Sequence, residues 1–358
     1  MICCIVGARP NFIKMSPVVR ALEARGIAQT LIHTGQHYDA PMSDIFFQEL
    51  HLPRPALDLG VGSGSHAQQM ARIMAALEPA LEQIKPTRVI VAGDVNSTLA
   101  AALVVAKMQI PIAHVEAGLR SFDRTMPEEI NRILTDHLAD LLFTTEASGD
   151  RNLLREGIAR EQIFFVGNCM IDTLDKYLGV ACAREPWNKF QLEPQAYGVV
   201  TLHRPSNVDI PAEFRPIARA LVRVSQELPL IFPVHPRTRP HLQSVLPEQH
   251  HILVTEPLGY LDFLGLMANA RLVLTDSGGV QEETTALGVP CLTVRDNTER
   301  PVTIELGTNQ LVGRGEERIG QVAFEVLELP RAPRPRPPLW DGHAGERIAQ
   351  IIQDCEKK

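Results

Sequence analysis

The stretch "DSGGVQEET", residues 276–284, follows the apolar run "LVLT" and leads into "TALGVP". A strand ends there, two glycines turn the chain, and a helix opens. Backbone N–H groups at Ser277, Gly278 and Gly279 then point out of a helix N-terminus, an arrangement suited to a diphosphate. Two acids one turn later look out of place beside an anion. A carboxylate at that distance, Glu282 or Glu283, is placed to accept hydrogen bonds from ribose hydroxyls instead. Arg300, in "DNTERP", adds a cation after the next strand. A nucleoside diphosphate fits this edge better than a free phosphate.

Other chemistry-bearing residues fall at the ends of apolar runs. "GARPNFIK" carries Arg9 and Lys14 at a helix opening, two cations beside exposed N–H groups. Asp94 follows "VIVAG" and Glu116 follows "PIAHV". If those strands are neighbours, about 4.8 Å apart, two carboxylates face one site and can divide acid and base roles. Asp94 has a rival reading as an N-cap for the next helix. Glu116, between a strand and Gly118, has none. "MPEEINR" opens a helix with Pro127 and two acids; the macrodipole accounts for one, and Glu128 is spaced to pair with Arg132 at i,i+4. "TLHRP" and "VHPRT" deliver His203 with Arg204 and His235 with Arg237 to two strand ends.

These ends need parallel sheets to position them. In residues 1–168, runs of four to six apolar residues alternate with helical periods, the pattern of strands buried on both faces. Residues 169–338 repeat it from "YGVVTLHR" to "QLVGRG". Between them, "GNCMIDTLDKYLGVACAREPWNKFQLEP" reads as a boundary with a helical connector. Two Rossmann-like α/β domains with parallel sheets facing a central cleft are the expected architecture. The Pro-rich "LPRAPRPRPPLW" reads as a stiff linker, and the last helix, within 339–358, is expected to pack back on the first domain.

The 358 residues are 45% hydrophobic and 22% charged, with a net charge of −7, which argues against wholesale nucleic-acid binding. Six cysteines without CxxC spacing read as reduced thiols of a cytoplasmic protein. No apolar run is long enough to span a membrane. "DLGVGSGSHAQQ" is read as a turn before a helix, since it lacks the register of a dinucleotide loop and the lysine of a Walker loop. No metal motif is present, and His250 and His251 lie in a polar loop; no cofactor is expected.

Taken in order, "GARPNFIK", "TGQHYD", "GDVNSTLA", "HVEAGLRS", "MPEEINR", "TLHRPSNVD", "VHPRT" and "DSGGVQEE…RDNTERP" resemble the non-hydrolysing UDP-N-acetylglucosamine 2-epimerases over roughly residues 1 to 350. The resemblance implies two domains of the GT-B type, a homodimer, and interconversion of UDP-GlcNAc with UDP-ManNAc. It implies contacts to the nucleotide sugar from Arg9 and Lys14, with Asp94, Glu116, Glu128 and His203 as catalytic candidates. Ser277, Gly278, Gly279, Glu283 and Arg300 would carry UDP, with Phe263 near the uracil.

The hydrogen on sugar carbon 2 is not adjacent to a carbonyl, and the sequence carries no nicotinamide fingerprint to make one at carbon 3. Elimination of UDP to 2-acetamidoglucal, then re-addition, is the implied route. Many members of the family are activated by a second UDP-GlcNAc; Gln36, His37, Arg72 and His235 could contribute, although Asp39 stands where regulated members can carry Gln. A similar family acts on UDP-2,3-diacetamido-2,3-dideoxyglucuronic acid and tends to lose the "TERP" arginine and the second acid of "QEE". Both are present here, as Arg300 and Glu283. A hydrolysing epimerase, releasing ManNAc and UDP, is a further alternative.

Overall fold

The computed structural model describes residues 1–36, 46–235, 237–242, 245–246, 251–330 and 335–357. His37, Asp39, His250 and four residues of the Pro-rich linker, 331–334, lie outside them. The chain forms two compact units, one of residues 1–173 with 338–358, the other of 174–337. The division falls inside helix Cys169–Ala183, a few residues past the boundary expected from sequence.

In the first unit seven parallel strands run in the order β3-β2-β1-β4-β5-β6-β7. They are β1 (Ile2–Val6), β2 (Gln29–His33), β3 (Leu57–Asp58), β4 (Arg88–Ala92), β5 (Ile112–Ala117), β6 (Leu141–Thr144) and β7 (Ile163–Phe165). The two-residue β3, which pairs with Ile32 and His33, has no apolar run to announce it. Every residue of β1, β4, β5 and β6 is buried, as two-sided cover by helices demands. Cys3, Ile5, Val89 and Val91 share one core cluster with Leu77 and Leu81 of helix His66–Ile84 and Val104 and Val105 of helix Asn96–Lys107. Each such side chain is worth roughly 1.5–3 kcal/mol of burial.

Helix Arg9–Ala24 continues through Pro17. A proline there has no N–H for the carbonyl of Ile13, four residues earlier. Thr173 Oγ1 donates to that carbonyl at 2.7 Å, so the defect is satisfied. Gly345 packs against the same turn; a Cβ there would lie 2.7 Å from the Pro17 carbonyl carbon. It belongs to the closing helix Ala344–Glu356, whose first amides, of Ala344 and Gly345, donate to the Asp172 carboxylate at 3.1 and 2.7 Å. Ser65 caps helix His66–Ile84 reciprocally with Gln68, so the glycine-rich stretch before it is a helix-leading turn.

The second unit repeats the plan: β8 (Gly198–Thr201), β9 (Leu230–Pro233), β10 (Ile252–Thr255), β11 (Leu272–Thr275), β12 (Cys291–Thr293) and β13 (Asn309–Leu311), all parallel, in the order β10-β9-β8-β11-β12-β13. Val200, Phe232, Leu274 and Leu292 pack with Phe214 and Leu221 of helix Pro211–Ser225 and Ile319 and Val322 of helix Glu316–Glu328. Strand order reverses between β1 and β4 in one sheet and between β8 and β11 in the other. Ligands of open α/β sheets bind outside the carboxyl ends at such reversals. Among the described residues no helix is long and apolar enough to cross a membrane, and no group of His, Cys, Asp or Glu side chains could hold a metal ion.

Candidate functional site

In the first unit the reversal is flanked by the turns after β1, β4 and β5. Gly7 ends β1 so tightly that a Cβ would lie 2.1 Å from Ser97 Oγ. Helix Arg9–Ala24 then opens, with Pro10 in its first turn. Asn11 Oδ1 accepts from the amides of Gly7 and Ala8 at 3.1 and 3.0 Å, and its Nδ2 donates to the Ala92 carbonyl at the end of β4 at 2.7 Å. The sequence predicts exposed N–H groups beside the two cations; the amides of Gly7 and Ala8 are already bonded. Lys14 is not beside them either. It is buried and forms an ion pair with Glu116 Oε2.

Glu116 sits at a register shift in β5, where Val115 pairs with Phe143 and Ala117 with Thr144. Its φ is +73°. A left-handed conformation at a residue with a Cβ costs roughly 1–3 kcal/mol and persists only where the surroundings enforce it. The bulge aims the carboxylate at Lys14 across Gly93; a Cβ on Gly93 would lie 2.9 Å from Lys14 Nζ. Strained, buried and paired, Glu116 has the marks of a functional side chain.

Asp94 follows β4, the neighbour of β5, so both carboxylates lie at adjacent strand ends. Asp94 is not the N-cap: Val95 holds that position of helix Asn96–Lys107, and Gln36 Oε1 accepts from the first-turn amide of Ser97 at 3.1 Å. Asp94 instead forms an ion pair with buried Arg132. Arg132 also takes Glu129 Oε2 at 2.7 Å, so the expected i,i+4 pair with Glu128 does not form. Glu129 is consumed further by the amides of Ser121 and Phe122 at 2.9 and 2.8 Å. Glu128, half-buried in the first turn of helix Pro127–Leu138, has no hydrogen bond or ion pair to another described residue.

In the second unit Asp276 stands at the centre of the reversal. It is fully buried and accepts from the amides of His203 and Arg204 at 3.0 and 2.9 Å and from Asn207 Nδ2 at 3.1 Å. His203 Nδ1 lies 2.8 Å from its Oδ1. Burial opposes ionisation of Asp276, but nearby His203 and these donors prevail and hold it at about 2. His203 is thereby oriented by an anion, with Nε2 left for other contacts, and its ring centroid lies 5.8 Å from that of exposed His235. Sequence reasoning passed over Asp276 as the first letter of a glycine-rich turn.

Helix Gly278–Leu287 opens beside Asp276 with Ser277 as N-cap. The Ser277 amide, expected to face an anion, donates to Thr275 Oγ1 at 3.0 Å. The amides of Gly278, Gly279 and Val280 remain as the first-turn donors that no helical carbonyl accepts. Arg300 crosses this turn: a Cβ on Gly278 would lie 2.3 Å from its Nη1. Its charge is balanced by Glu299 and by Glu282, 3.0 Å from Nε. One of the two puzzling acids is thus the partner of an arginine. The other, Glu283, accepts from Tyr260 Oη at 3.1 Å through Oε1. Burial raises its carboxyl to about 7, with the tyrosine hydrogen bond opposing. Phe263 is half-buried on the same helix as Tyr260.

Of the residues considered for an activator, Gln36 is buried, accepting from Ser97 Oγ at 2.7 Å and, through its carbonyl, from Gln69 Nε2 at 2.9 Å. Exposed Arg72 donates to the Ser63 carbonyl at 2.8 Å. His37 lies outside the described residues.

The family model for UDP-N-acetylglucosamine 2-epimerase matches residues 20–353. The UDP-N-acetylglucosamine 2-epimerase of Methanocaldococcus jannaschii is 45% identical over 358 residues, covering 97% of each chain. The UDP-2,3-diacetamido-2,3-dideoxy-D-glucuronate 2-epimerase of Pseudomonas aeruginosa is 42% identical over 331 residues, covering 91% of this chain and 92% of that one. The crystal structure of the Methanocaldococcus jannaschii UDP-GlcNAc 2-epimerase in complex with UDP-GlcNAc and UDP superposes with a TM-score of 0.93 at 44% identity, covering 99% of each chain.

Proposed function

The chain belongs to the UDP-N-acetylglucosamine 2-epimerase family, and we propose that it interconverts UDP-GlcNAc and UDP-ManNAc by elimination and re-addition of UDP. The observation that carries the reading is the strained Glu116 carboxylate, held by Lys14 at the strand end next to Asp94. One carboxylate of the set Asp94, Glu116 and Glu128 removes the proton from carbon 2. The C1–O bond to UDP breaks with its electron pair leaving on the diphosphate, and 2-acetamidoglucal forms. A second acid returns a proton to the opposite face of carbon 2 as UDP re-forms the bond at carbon 1.

UDP is held by the Gly278 and Gly279 amides, the Ser277 hydroxyl and Arg300 at its phosphates, by Glu283 at its ribose, and by Phe263 at its uracil. The positive end of the helix dipole stabilises charge developing on the leaving diphosphate. His203, oriented by Asp276 at the start of that turn, is a proton donor or hydrogen-bond partner. Arg9 completes the sugar contacts, and Gln36, Arg72 and His235 are the residues tested for activation by excess substrate.

The 42% identity to the diacetamido-uronate enzyme supports a second substrate reading. Proton NMR with UDP-GlcNAc in heavy water separates the readings. UDP-ManNAc with deuterium at carbon 2 in both epimers is the expected result. Turnover of UDP-2,3-diacetamido-2,3-dideoxyglucuronate alone transfers the assignment to that substrate, and free ManNAc with UDP marks a hydrolysing enzyme.

A further inference from the structure

Behind the carboxylates of the first unit lies a buried charged cluster that no proton-transfer step uses. His114, in β5 two residues before Glu116, is fully buried, as is Asp136 on helix Pro127–Leu138. His114 Nδ1 lies 2.6 Å from Asp136 Oδ1, and its Nε2 lies 2.8 Å from the Gly93 carbonyl. That carbonyl can only accept, so Nε2 carries a proton and donates it. Asp136 Oδ2 accepts from the Gly118 amide at 3.1 Å and pairs with Arg120 Nη2 at 2.7 Å. Arg120 is held in turn by Glu156 at 2.7 Å. Burial works against the Asp136 charge, but His114 and Arg120 keep its carboxyl below the usual range.

This cluster grips the two turns that carry Asp94 and Glu116. The Gly93 amide donates to the Val115 carbonyl at 2.9 Å while its own carbonyl takes the His114 proton, so β5 holds both polar groups of the residue preceding Asp94. The Asp94 carbonyl accepts from Asn131 Nδ2 at 2.8 Å, on the same helix as Asp136. On the other turn, Gly118 at φ +81° closes the bulge begun by Glu116 at +73°, and Asp136 pins its amide. One carboxylate therefore fixes one turn directly and the other through an imidazole. A buried charged pair is a costly way to fill space, and an apolar pair of the same volume could do that alone. Hydrogen bonds to two separate turns are what an apolar pair would not provide.

We infer that His114 and Asp136 are positioning residues that set the spacing of the Asp94 and Glu116 carboxylates; this rests on the roles proposed for those two acids. The test compares His114→Phe, which removes the bond to Gly93, with Asp136→Asn. The amide oxygen of the second variant still accepts from Gly118 and Arg120. Its NH2 donates to His114 Nδ1, and Nε2 keeps its proton for Gly93.

His114→Phe is expected to lower kcat about 100-fold, the order of loss for a misplacement of about 1 Å. KM should stay within about threefold, and the Kd of UDP, measured by calorimetry, should not change. Asp136→Asn should keep kcat within about fivefold of wild type. If His114→Phe fails to fold, His114→Leu, which likewise offers no hydrogen bond to Gly93 or Asp136, is judged by the same thresholds. A folded His114 variant within threefold of wild-type kcat overturns the inference. So does a folded Asp136→Asn variant as impaired as His114→Phe, since hydrogen bonding is then not what matters. Asp94→Asn and Glu116→Gln run alongside: their retention of wild-type turnover sinks the underlying assignment, whereas their loss with His114→Phe intact sinks only the positioning.

Discussion

Replacing Glu283 with glutamine should make the protein more stable at pH 8 and weaken its grip on UDP-GlcNAc. Burial raises this carboxyl from 4.5 to about 7. Between those values the folded chain retains a proton that the unfolded chain has lost. Stability therefore falls as pH rises through the window from 4.5 to 7, and the full cost stands above 7. Raising the carboxyl from 4.5 to about 7 corresponds to about 3 kcal/mol at most. Glutamine keeps an acceptor for the Tyr260 hydroxyl and never ionises. At pH 8 the variant should melt higher by about 2–4 °C per kcal/mol recovered, and at pH 4.5 the two proteins should melt together. The proposed role runs the other way. Tyr260 uses Oε1, and an ionised Oε2 is the acceptor left for ribose hydroxyls. If only the ionised form binds, UDP-GlcNAc affinity should rise about tenfold from pH 6 to 8 in the wild type, because a group of pKa 7 goes from about one-eleventh to ten-elevenths ionised. The diphosphate of UDP-GlcNAc is a diester without a proton to lose there, so calorimetry at the two pH values isolates the protein. Glu283→Gln should show no such slope and bind about 10- to 100-fold more weakly at pH 8. A variant less stable than wild type at pH 8, or one with the wild-type pH slope in binding, refutes the reasoning.

Gly278→Ala should reduce UDP affinity at least tenfold by calorimetry. Its Cβ would fall 2.3 Å from Arg300 Nη1, and the guanidinium is buried between Glu282 and Glu299. Gly93→Ala, with φ +67° and a Cβ 2.9 Å from Lys14 Nζ, should disrupt the Lys14–Glu116 pair; deuterium incorporation at carbon 2 should slow about 100-fold while UDP binding holds. Asp276 is held at about 2, below its unfolded value of 3.8, so it contributes stability above pH 3.8 that is lost as pH falls from 3.8 towards 2. Asp276→Ala should flatten that part of the acid-unfolding curve. It should also destabilise the protein by about 3 kcal/mol at pH 7 in urea titrations, since buried donors of His203, Arg204 and Asn207 lose their acceptor.

The parallel sheets were legible because burial on both faces imposes apolar runs, and each run from "ICCIVG" to "QLVGRG" became a strand. The helices "TLAAALVVAKMQ", "PEEINRILTDHLAD" and "GERIAQIIQDC" were legible by their period. Strand ends were legible too, and with them the carboxyl edge of each sheet: that of the first unit for Asp94 and Glu116, that of the second for His203 and Ser277. Charge partners were not. Lys14 reads as a helix-opening cation until β5 brings Glu116 to it from 102 positions away. Asn11 reads as part of a loop until its amide reaches Ala92, 81 residues on.

Local rules misled where a longer contact was stronger. Spacing offers Glu128 to Arg132, but Glu129 at i,i+3 and Asp94 from the neighbouring strand claim the guanidinium. That substitution has a consequence for the chemistry. Had Glu128 taken the arginine, its carboxylate would be fixed by the same cation that holds Asp94. Glu128, at the positive end of a helix, pairs with none of the described residues, whereas Glu116 is tied to Lys14. Of the three acids, Glu116 is therefore the one whose position is most tightly enforced, by a backbone at φ +73° and by Lys14, and Glu128 the one that no described partner holds.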